Sequence, residues 1–400
     1  MFQNTGQVIM KVTRGCNLRC SYCYVYDKNK YHGESMSINL YTEILTRWFS
    51  ETKRGNLRTP NDGIKDDRQD TLSLVLHGGE PLSVGKEKFM QYAKIAYQLA
   101  RRYGKVVSLS TQTNGTLIDE DWMSIFRKYK IQPGISFDGF GESAEERNHK
   151  DGLLTILLKL LGAGITPGVL MILHKSNYKD IVQNLSILEA IGINSIKINR
   201  AVDVTSSCDS DYELTVDELL EAAEKICNFM WTHPDFNEGV LFQQMVDFTG
   251  QTSKGLYDGK DRNSHCYTRY CGAGKAIVEV EPDGSTQFCG RNSKKSDIVT
   301  NGHVKAKDIL EFQNIRRQWK FQKYKYDSVV NLKCNLCPAQ AICDGGCMSF
   351  SLQKFGTPQI DPLTCEYFKR LHKFFTLNSK IIYQYLGDRT KNEFNSHFNL

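Results

Sequence analysis

From residue 8 to residue 199, short runs rich in Val, Ile and Leu alternate with stretches whose apolar residues recur at helical spacing. The runs 8–13, 71–77, 106–111, 132–138, 168–173 and 195–199 are each a few residues long and each ends in a loop, which predicts six strands. Between them, 40–49, 87–102, 119–129, 153–161 and 178–191 predict helices, the third with Asp119 as its N-cap. A series of β-then-α units predicts a parallel sheet with right-handed crossovers. Six units fall short of a closed eight-unit barrel, so the expected fold is α/β, a partial, open (β/α)6 barrel. In such folds the chemistry sits at the C-terminal ends of the strands.

Two polar stretches interrupt the pattern. Residues 51–70, rich in charge, Asn, Pro and Gly, predict a surface loop inserted before the second strand. Residues 201–265 predict a bridge with one helix, opened by Thr215 and Glu218 as a capping box and running to about Trp231. From residue 266 the chain is cysteine-rich, and Pro282-Asp283-Gly284 reads as a turn between two strand-like runs. The expected units are a barrel over 1–200, the bridge over 201–265, a cysteine-rich domain over 266–370 and a helical tail over 371–400.

Composition narrows the class. The 400 residues are 40% hydrophobic and 24% charged with 9 prolines, which describes a soluble globular chain and excludes collagen-like, coiled-coil and disordered classes. A net charge of +6, unclustered, argues for neither nucleic acid nor an anionic membrane as partner. The thirteen cysteines fall in clumps, with only Cys208 and Cys227 standing alone. The first eleven residues show no export signal, and the most apolar region, 153–173, is broken by Lys159, Gly162, Gly164 and Pro167. The expectation is therefore a reducing, cytoplasmic compartment and thiolates that hold metal, with no membrane attachment.

The sharpest motif is Cys16-Asn-Leu-Arg-Cys20-Ser-Tyr-Cys23, directly after the first strand. Three thiolates in one loop can hold three corners of an iron–sulfur cube and leave the fourth iron open; a zinc knuckle completed by a distant residue is the rival. The second motif, His77-Gly78-Gly79-Glu80-Pro81-Leu82, ends the second strand, and adjacent glycines there let the backbone approach a ligand. The loops with Asn114 and with Ser136 and Asp138 end the next two strands.

With its Cys-x3-Cys-x2-Cys loop after strand one, the sequence resembles the radical S-adenosylmethionine (radical SAM) superfamily. The resemblance implies that Cys16, Cys20 and Cys23 bind a [4Fe–4S] cluster whose open iron chelates S-adenosylmethionine (SAM). It assigns Gly78, Gly79 and Glu80 to the methionine amino group, Tyr22 to the adenine and Asn114 to the cavity wall. Ser136 would bond the ribose or carboxylate, with Arg147 facing the same carboxylate.

The later cysteines resemble the SPASM domain, which carries two auxiliary [4Fe–4S] clusters, three in all with the first. By that resemblance Cys266, Cys271, Cys289 and Cys347 hold one, and Cys334, Cys337, Cys343 and Cys365 the other; two zinc ribbons are the alternative. Enzymes of this group act on peptides or proteins, so the implied partners are a precursor peptide or protein substrate and a flavodoxin- or ferredoxin-type reductant. In sulfatase maturases an Asp acting as base follows the cysteine that corresponds to Cys289; here Gly290 stands there. The preferred expectation is therefore an oxidative crosslink in a ribosomally made precursor peptide, a cyclophane for example, with Asp138 as proton acceptor by position. Oxidation of Ser or Cys to formylglycine is the alternative, and a non-catalytic iron–sulfur electron carrier the rival of another class. Neither end has length for a leader-binding domain, so the barrel mouth, bridge and SPASM surface, or a separate protein, are expected to grip the substrate.

Overall fold

A computed structural model describes residues 5–23, 34–52, 71–140, 144, 147, 152–202, 212–250, 273, 277–290, 302–303, 327, 329–343, 345–357 and 359–398, without side chains from 390 onward. The six sequence runs form β1 (Gln7–Thr13), β2 (Leu72–Gly78), β3 (Val107–Thr113), β4 (Ile131–Phe137), β5 (Gly168–Leu173) and β6 (Ser195–Arg200). Neighbours pair in parallel in chain order. The connecting helices are α1 (Ile38–Glu51), α2 (Lys86–Arg102), α3 (Glu120–Lys128), α4 (Leu153–Gly162) and α5 (Ile181–Ala190).

Alternation explains the layering. In β2, Leu72, Leu74 and Leu76 are fully buried in the core that also holds Trp48, Phe89 and Phe126 of the helices. Burial of each such side chain contributes about 1.5–3 kcal/mol. The intervening positions, such as His77, Gln112, Ser136 and Ile172, line an interior cavity. Asp119 caps α3 by accepting from the Trp122 N–H at 2.9 Å.

The sheet is wider than the six predicted strands. Among the described residues it has ten, with one strand added beyond β6 and three beyond β1. Beyond β6, helix α6 (Val216–Thr232) carries the expected Thr215–Glu218 capping box, followed by β7 (Asn237–Glu238) and α7 (Gly239–Thr249). That last pair has no signature in the sequence pattern, because what builds it is a buried carboxylate rather than a periodicity. Glu238 accepts from Ile198 N–H of β6 at 2.8 Å and from Val240 and Leu241 N–H of α7.

On the other edge β8 (Ile277–Val280) runs parallel to β1 and turns at Pro282-Asp283-Gly284 into β9 (Ser285–Gln287), which pairs with β10 (Gly302–His303). The hairpin foreseen within the cysteine-rich segment is thus an extension of the barrel sheet.

The chain closes with α8 (Gln340–Cys343), α9 (Met348–Phe355), α10 (Pro362–Leu377) and α11 (Ser379–Phe398). Helix α10 packs on α6, where Trp231 and Phe374 stack at 5.8 Å. Among the described residues no helix is long and apolar enough to cross a membrane.

Loss of the Glu238 carboxylate strands several buried N–H groups, each worth about 1–3 kcal/mol, whereas loss of an exposed cap such as Thr215 costs about 1 kcal/mol. In urea denaturation Glu238→Ala is therefore expected to lower stability by more than Thr215→Ala. An equal or smaller loss would mean that the carboxylate is not what fastens α7 to β6.

Candidate active site

The loop after β1 is held from two sides. From β2, Gly79 N–H donates to Thr13 O at 2.9 Å and Glu80 N–H to Gly15 O at 2.8 Å. The two backbones lie so close that a Cβ on Gly78 would stand 2.2 Å from Thr13 O, and one on Gly79 2.4 Å from Gly15 O. Gly78 also has φ +156°, which L side chains avoid. The glycine pair therefore permits a close approach to the stem of the cysteine loop, where the sequence had suggested an approach to a ligand. From β3, Asn114 Nδ2 donates to Asn17 Oδ1 at 2.9 Å and lies 3.9 Å from Cys16 Sγ, while Asn17 Nδ2 donates to Thr116 Oγ1 at 2.7 Å. Asn17 and Thr116 had no signal in the sequence, since a side-chain brace leaves no periodicity.

Glu80 is fully buried and does not line the cavity. Its carboxylate accepts from Leu82 N–H at 3.0 Å, Thr113 Oγ1 at 2.7 Å and Asn114 N–H at 2.8 Å. Burial raises its pKa, against the lowering by those bonds. It ties the end of β2 to the end of β3, and the cavity face of this turn is left to Gly78 and Gly79.

Cys16, Cys20, Cys23 and Tyr22 line the cavity together with Asn114, Ser136 and Arg147. Burial pushes the Cys20 thiol up to about 12, and its neighbours Cys23 and Cys16 push the same way; Cys16 is raised by burial as well. Ser136 Oγ accepts from Gln112 Nε2 at 3.0 Å. Among the described residues no three His, Cys, Asp or Glu side chains converge on a single metal ion.

Asp138, expected from its position to be a proton acceptor, is wholly buried and already engaged. It accepts from the Tyr22 hydroxyl and from Arg147 Nη2 at 2.8 Å, and His174 Nε2 lies 3.9 Å away. Burial works to raise its pKa, but Arg147 and these hydrogen bonds prevail and hold it below the usual carboxylate range. A depressed, shielded carboxylate is a poor base; here it anchors Tyr22 and Arg147. Tyr22 lies in a tilted ring contact with His174 at 5.2 Å and has Arg147 5.8 Å from its ring centre.

A second buried charge network joins the cysteine loop to the β8–β9 hairpin. Lys11 Nζ lies 2.9 Å from Glu279 and 3.1 Å from Glu281, and Arg14 Nε lies 3.1 Å from Glu281. Burial pushes the Glu279 carboxyl up to about 7, against the lowering by Lys11. Glu279 Oε2 would lie 3.2 Å from a Cβ placed on Gly290. Charged residues at alternate positions of strands buried on both faces were the available signal for this group.

Near the C-terminus, burial pushes the Cys343 thiol up to about 12, and Cys334, Cys365 and Cys337 each add to the rise. Cys289 and Cys347 are partly buried. Cys208, Cys266 and Cys271 lie outside the described residues. Cys227 is buried in α6.

Comparison with known families gives a match over residues 10–219 to the Radical SAM superfamily. The chain belongs to the radical SAM superfamily. Among curated proteins it is 26% identical to the cysteine-type anaerobic sulfatase-maturating enzyme of Clostridium novyi, over 95% of this chain and 97% of that one. It is 24% identical to the serine-type enzyme of Bacteroides thetaiotaomicron, over 88% and 85%. In fold it is similar to native anSMEcpe with bound AdoMet and Cp18Cys peptide (TM-score 0.69, 18% identity, 98% and 99% coverage). It is also similar to Streptococcus suis SuiB bound to precursor peptide SuiA (TM-score 0.59, 16% identity, 90% and 76% coverage). The protein is thus a radical SAM enzyme related to anaerobic sulfatase maturases, and its family uses a [4Fe–4S] cluster and SAM.

Two outcomes test the site's construction. Gly79→Ala forces the β2 turn away from the loop stem, so the reconstituted variant is expected to lose about four irons while its circular dichroism is retained; full iron content would show the close approach to be dispensable. Asp138→Asn leaves Arg147 a buried charge without its partner, a loss of about 3–5 kcal/mol. The double variant Asp138→Asn/Arg147→Gln is expected to unfold at higher urea than Asp138→Asn alone; additive losses would show that the pair is not coupled.

Proposed function

We propose that this radical SAM enzyme oxidises a side chain in a ribosomally made precursor peptide, with Cys16, Cys20 and Cys23 holding the [4Fe–4S] cluster and SAM lying in the cavity they line. The observation that carries the reading is the three-thiol loop clasped by the glycine turn at the inner face of the parallel sheet. The donor set fits the group: soft sulfurs crowded enough to raise one another gain from a shared cationic centre. When bound, the cluster and SAM supply a 5′-deoxyadenosyl radical for hydrogen abstraction, and auxiliary clusters supply an acceptor for the electron the oxidised substrate leaves.

The chain's own residues bind and orient. Gly78 and Gly79 present backbone to the methionine ammonium, and Ser136 and Arg147, whose Nε has no partner among the described residues, face its carboxylate. Tyr22, fixed by Asp138, offers a flat wall to the adenine. The influence of Cys334, Cys337 and Cys365 on the Cys343 thiol supports the family's assignment of one auxiliary cluster to those four residues. Cys266, Cys271, Cys289 and Cys347 are assigned to the second by the family's pattern, completing a SPASM domain fed by a flavodoxin- or ferredoxin-type reductant.

The preferred product is a crosslink, such as a cyclophane. Formylglycine is the second reading, favoured by two observations. The similarity to sulfatase-maturating enzymes spans nearly the whole chain. And although Gly290 carries no base, the buried Glu279 carboxylate lies beside it, with Lys11 Nζ 2.9 Å away. Glu279, whose carboxyl is raised where that of Asp138 is lowered, is accordingly the better suited proton acceptor of the two.

Anaerobic reconstitution is expected to give about twelve irons per chain and to release 5′-deoxyadenosine from SAM under reduction; zinc in place of iron ends the reading. With a precursor peptide encoded beside the gene, mass spectrometry is expected to show a loss of about two mass units. Resistance of that product to an aldehyde-reactive hydroxylamine supports the crosslink, and labelling supports formylglycine made from Ser; a labelled product about 18 mass units lighter supports formylglycine made from Cys, whose sulfur leaves as sulfide. Glu279→Gln is expected to suppress peptide oxidation while SAM cleavage persists.

A further inference from the structure

Arg200 ends β6 and lines both the main cavity and a smaller one bounded by α6, α7 and α10. Its side chain is 10% exposed. A guanidinium carries five N–H donors, yet among the described residues only Nη2 is engaged: it donates to Thr364 Oγ1 and lies 3.6 Å from Asp361 Oδ2. Nε and Nη1 are buried and have no hydrogen-bond partner among the described residues.

The surrounding carboxylates do not answer them. Asp361 accepts from Thr364 N–H at 3.1 Å and from Thr364 Oγ1 at 2.5 Å, and it shares its charge with Lys354 at 3.6 Å, which also lies 3.2 Å from Glu213. Glu238 is taken up by the backbone of β6 and α7. A buried cation with unanswered donors is costly unless an anion completes it.

We propose that Arg200 is a carboxylate anchor of the cavity, and that the carboxylate belongs to the peptide substrate, as an Asp or Glu side chain or a free C-terminus. The inference deepens the proposed function and rests on it.

Placement decides the source. Arg147, beside Tyr22 of the cysteine loop, has its own unpartnered Nε and stands near Ser136 for the carboxylate of SAM. Arg200 lies at the end of β6, among Leu170, Ile172 and Phe350, and is tied through Thr364 to the helix that carries Cys365. An acidic residue with apolar neighbours is the chemistry such a wall accepts. The engaged Nη2 fixes the guanidinium plane, so the anchor is preorganised.

The test uses reconstituted holoenzyme in wild-type, Arg200→Gln and Arg200→Lys forms. Binding of SAM and of decarboxylated SAM is measured by equilibrium dialysis. Binding of N-acetyl-aspartate N-methylamide and its asparagine counterpart to the SAM-loaded protein is measured by saturation-transfer NMR. Expected are a preference of the wild type for the acidic probe, a loss of at least tenfold in Arg200→Gln with partial recovery in Arg200→Lys, and SAM affinity within about twofold throughout. If the wild type shows no preference for the acidic probe, or Arg200→Gln and Arg200→Lys bind it equally, the anchor is overturned.

A tenfold loss of SAM but not of decarboxylated SAM in Arg200→Gln would overturn the substrate as source and give the residue to the cofactor. Failure of wild-type holoenzyme to bind SAM would sink the proposed function itself, a result distinct from any of these. Should Arg200→Gln not fold, the ratio of acidic to neutral probe binding in wild type and Arg200→Lys decides: an unchanged ratio overturns the anchor.

Discussion

Everything in the site depends on how closely the backbone of β2 approaches the start of the cysteine loop. At Gly78 and Gly79 there is no room for a Cβ, and the two N–H bonds that follow from the contact fix Thr13 and Gly15 in place. A loop with three thiols needs such a clasp, since thiolates drawn together without a cation repel one another and would otherwise splay. The stem is therefore rigid and the sulfurs are left facing the cavity. Glu80 extends the same constraint to β3 by occupying its carboxylate with Thr113 and Asn114.

Buried charge supplies a second layer of positioning. On one side of the loop Asp138 holds Tyr22 and Arg147; on the other Lys11 and Arg14 hold Glu279 and Glu281 of the added hairpin. Ion pairs withdrawn from water gain little net stability, because desolvation offsets attraction. Their effect here is geometric, since each polar group has one low-energy arrangement and the cavity wall inherits it. The same networks separate two kinds of carboxylate. Asp138 is held below the usual carboxylate range by Arg147 and its hydrogen bonds; Glu279 is raised by burial, with Lys11 beside it working the other way.

The later part of the chain meets the barrel in more than one place. The hairpin of β8 and β9 continues the sheet beyond β1, while α10 lies on α6 and reaches Arg200 through Thr364 and Asp361. One residue beyond Thr364 stands Cys365, which with Cys334 and Cys337 helps raise the Cys343 thiol. Cavity and distal cysteines are thereby joined by a short, buried and polar connection rather than by a linker.

The six central strands, their helices, the Asp119 cap and the Thr215–Glu218 capping box were legible in the amino-acid order, because burial of one face writes a period into the chain and caps use particular residue types at particular offsets. The cysteine spacing and the Gly-Gly-Glu turn likewise pointed to the superfamily before any contact was known. What the order of residues could not reveal was partnership. It does not show that Gly79 makes room for Gly15, that Asp138 is spent on Arg147 and Tyr22, that Glu238 fastens a seventh strand, or that Glu279 stands beside Gly290. Each of these joins residues brought together only when distant strands pair, and a carboxylate's role is set by the donors and the dielectric around it. Residue type and spacing determined the fold and the class of chemistry; the packed sheet alone decided which side chains were left free to take part.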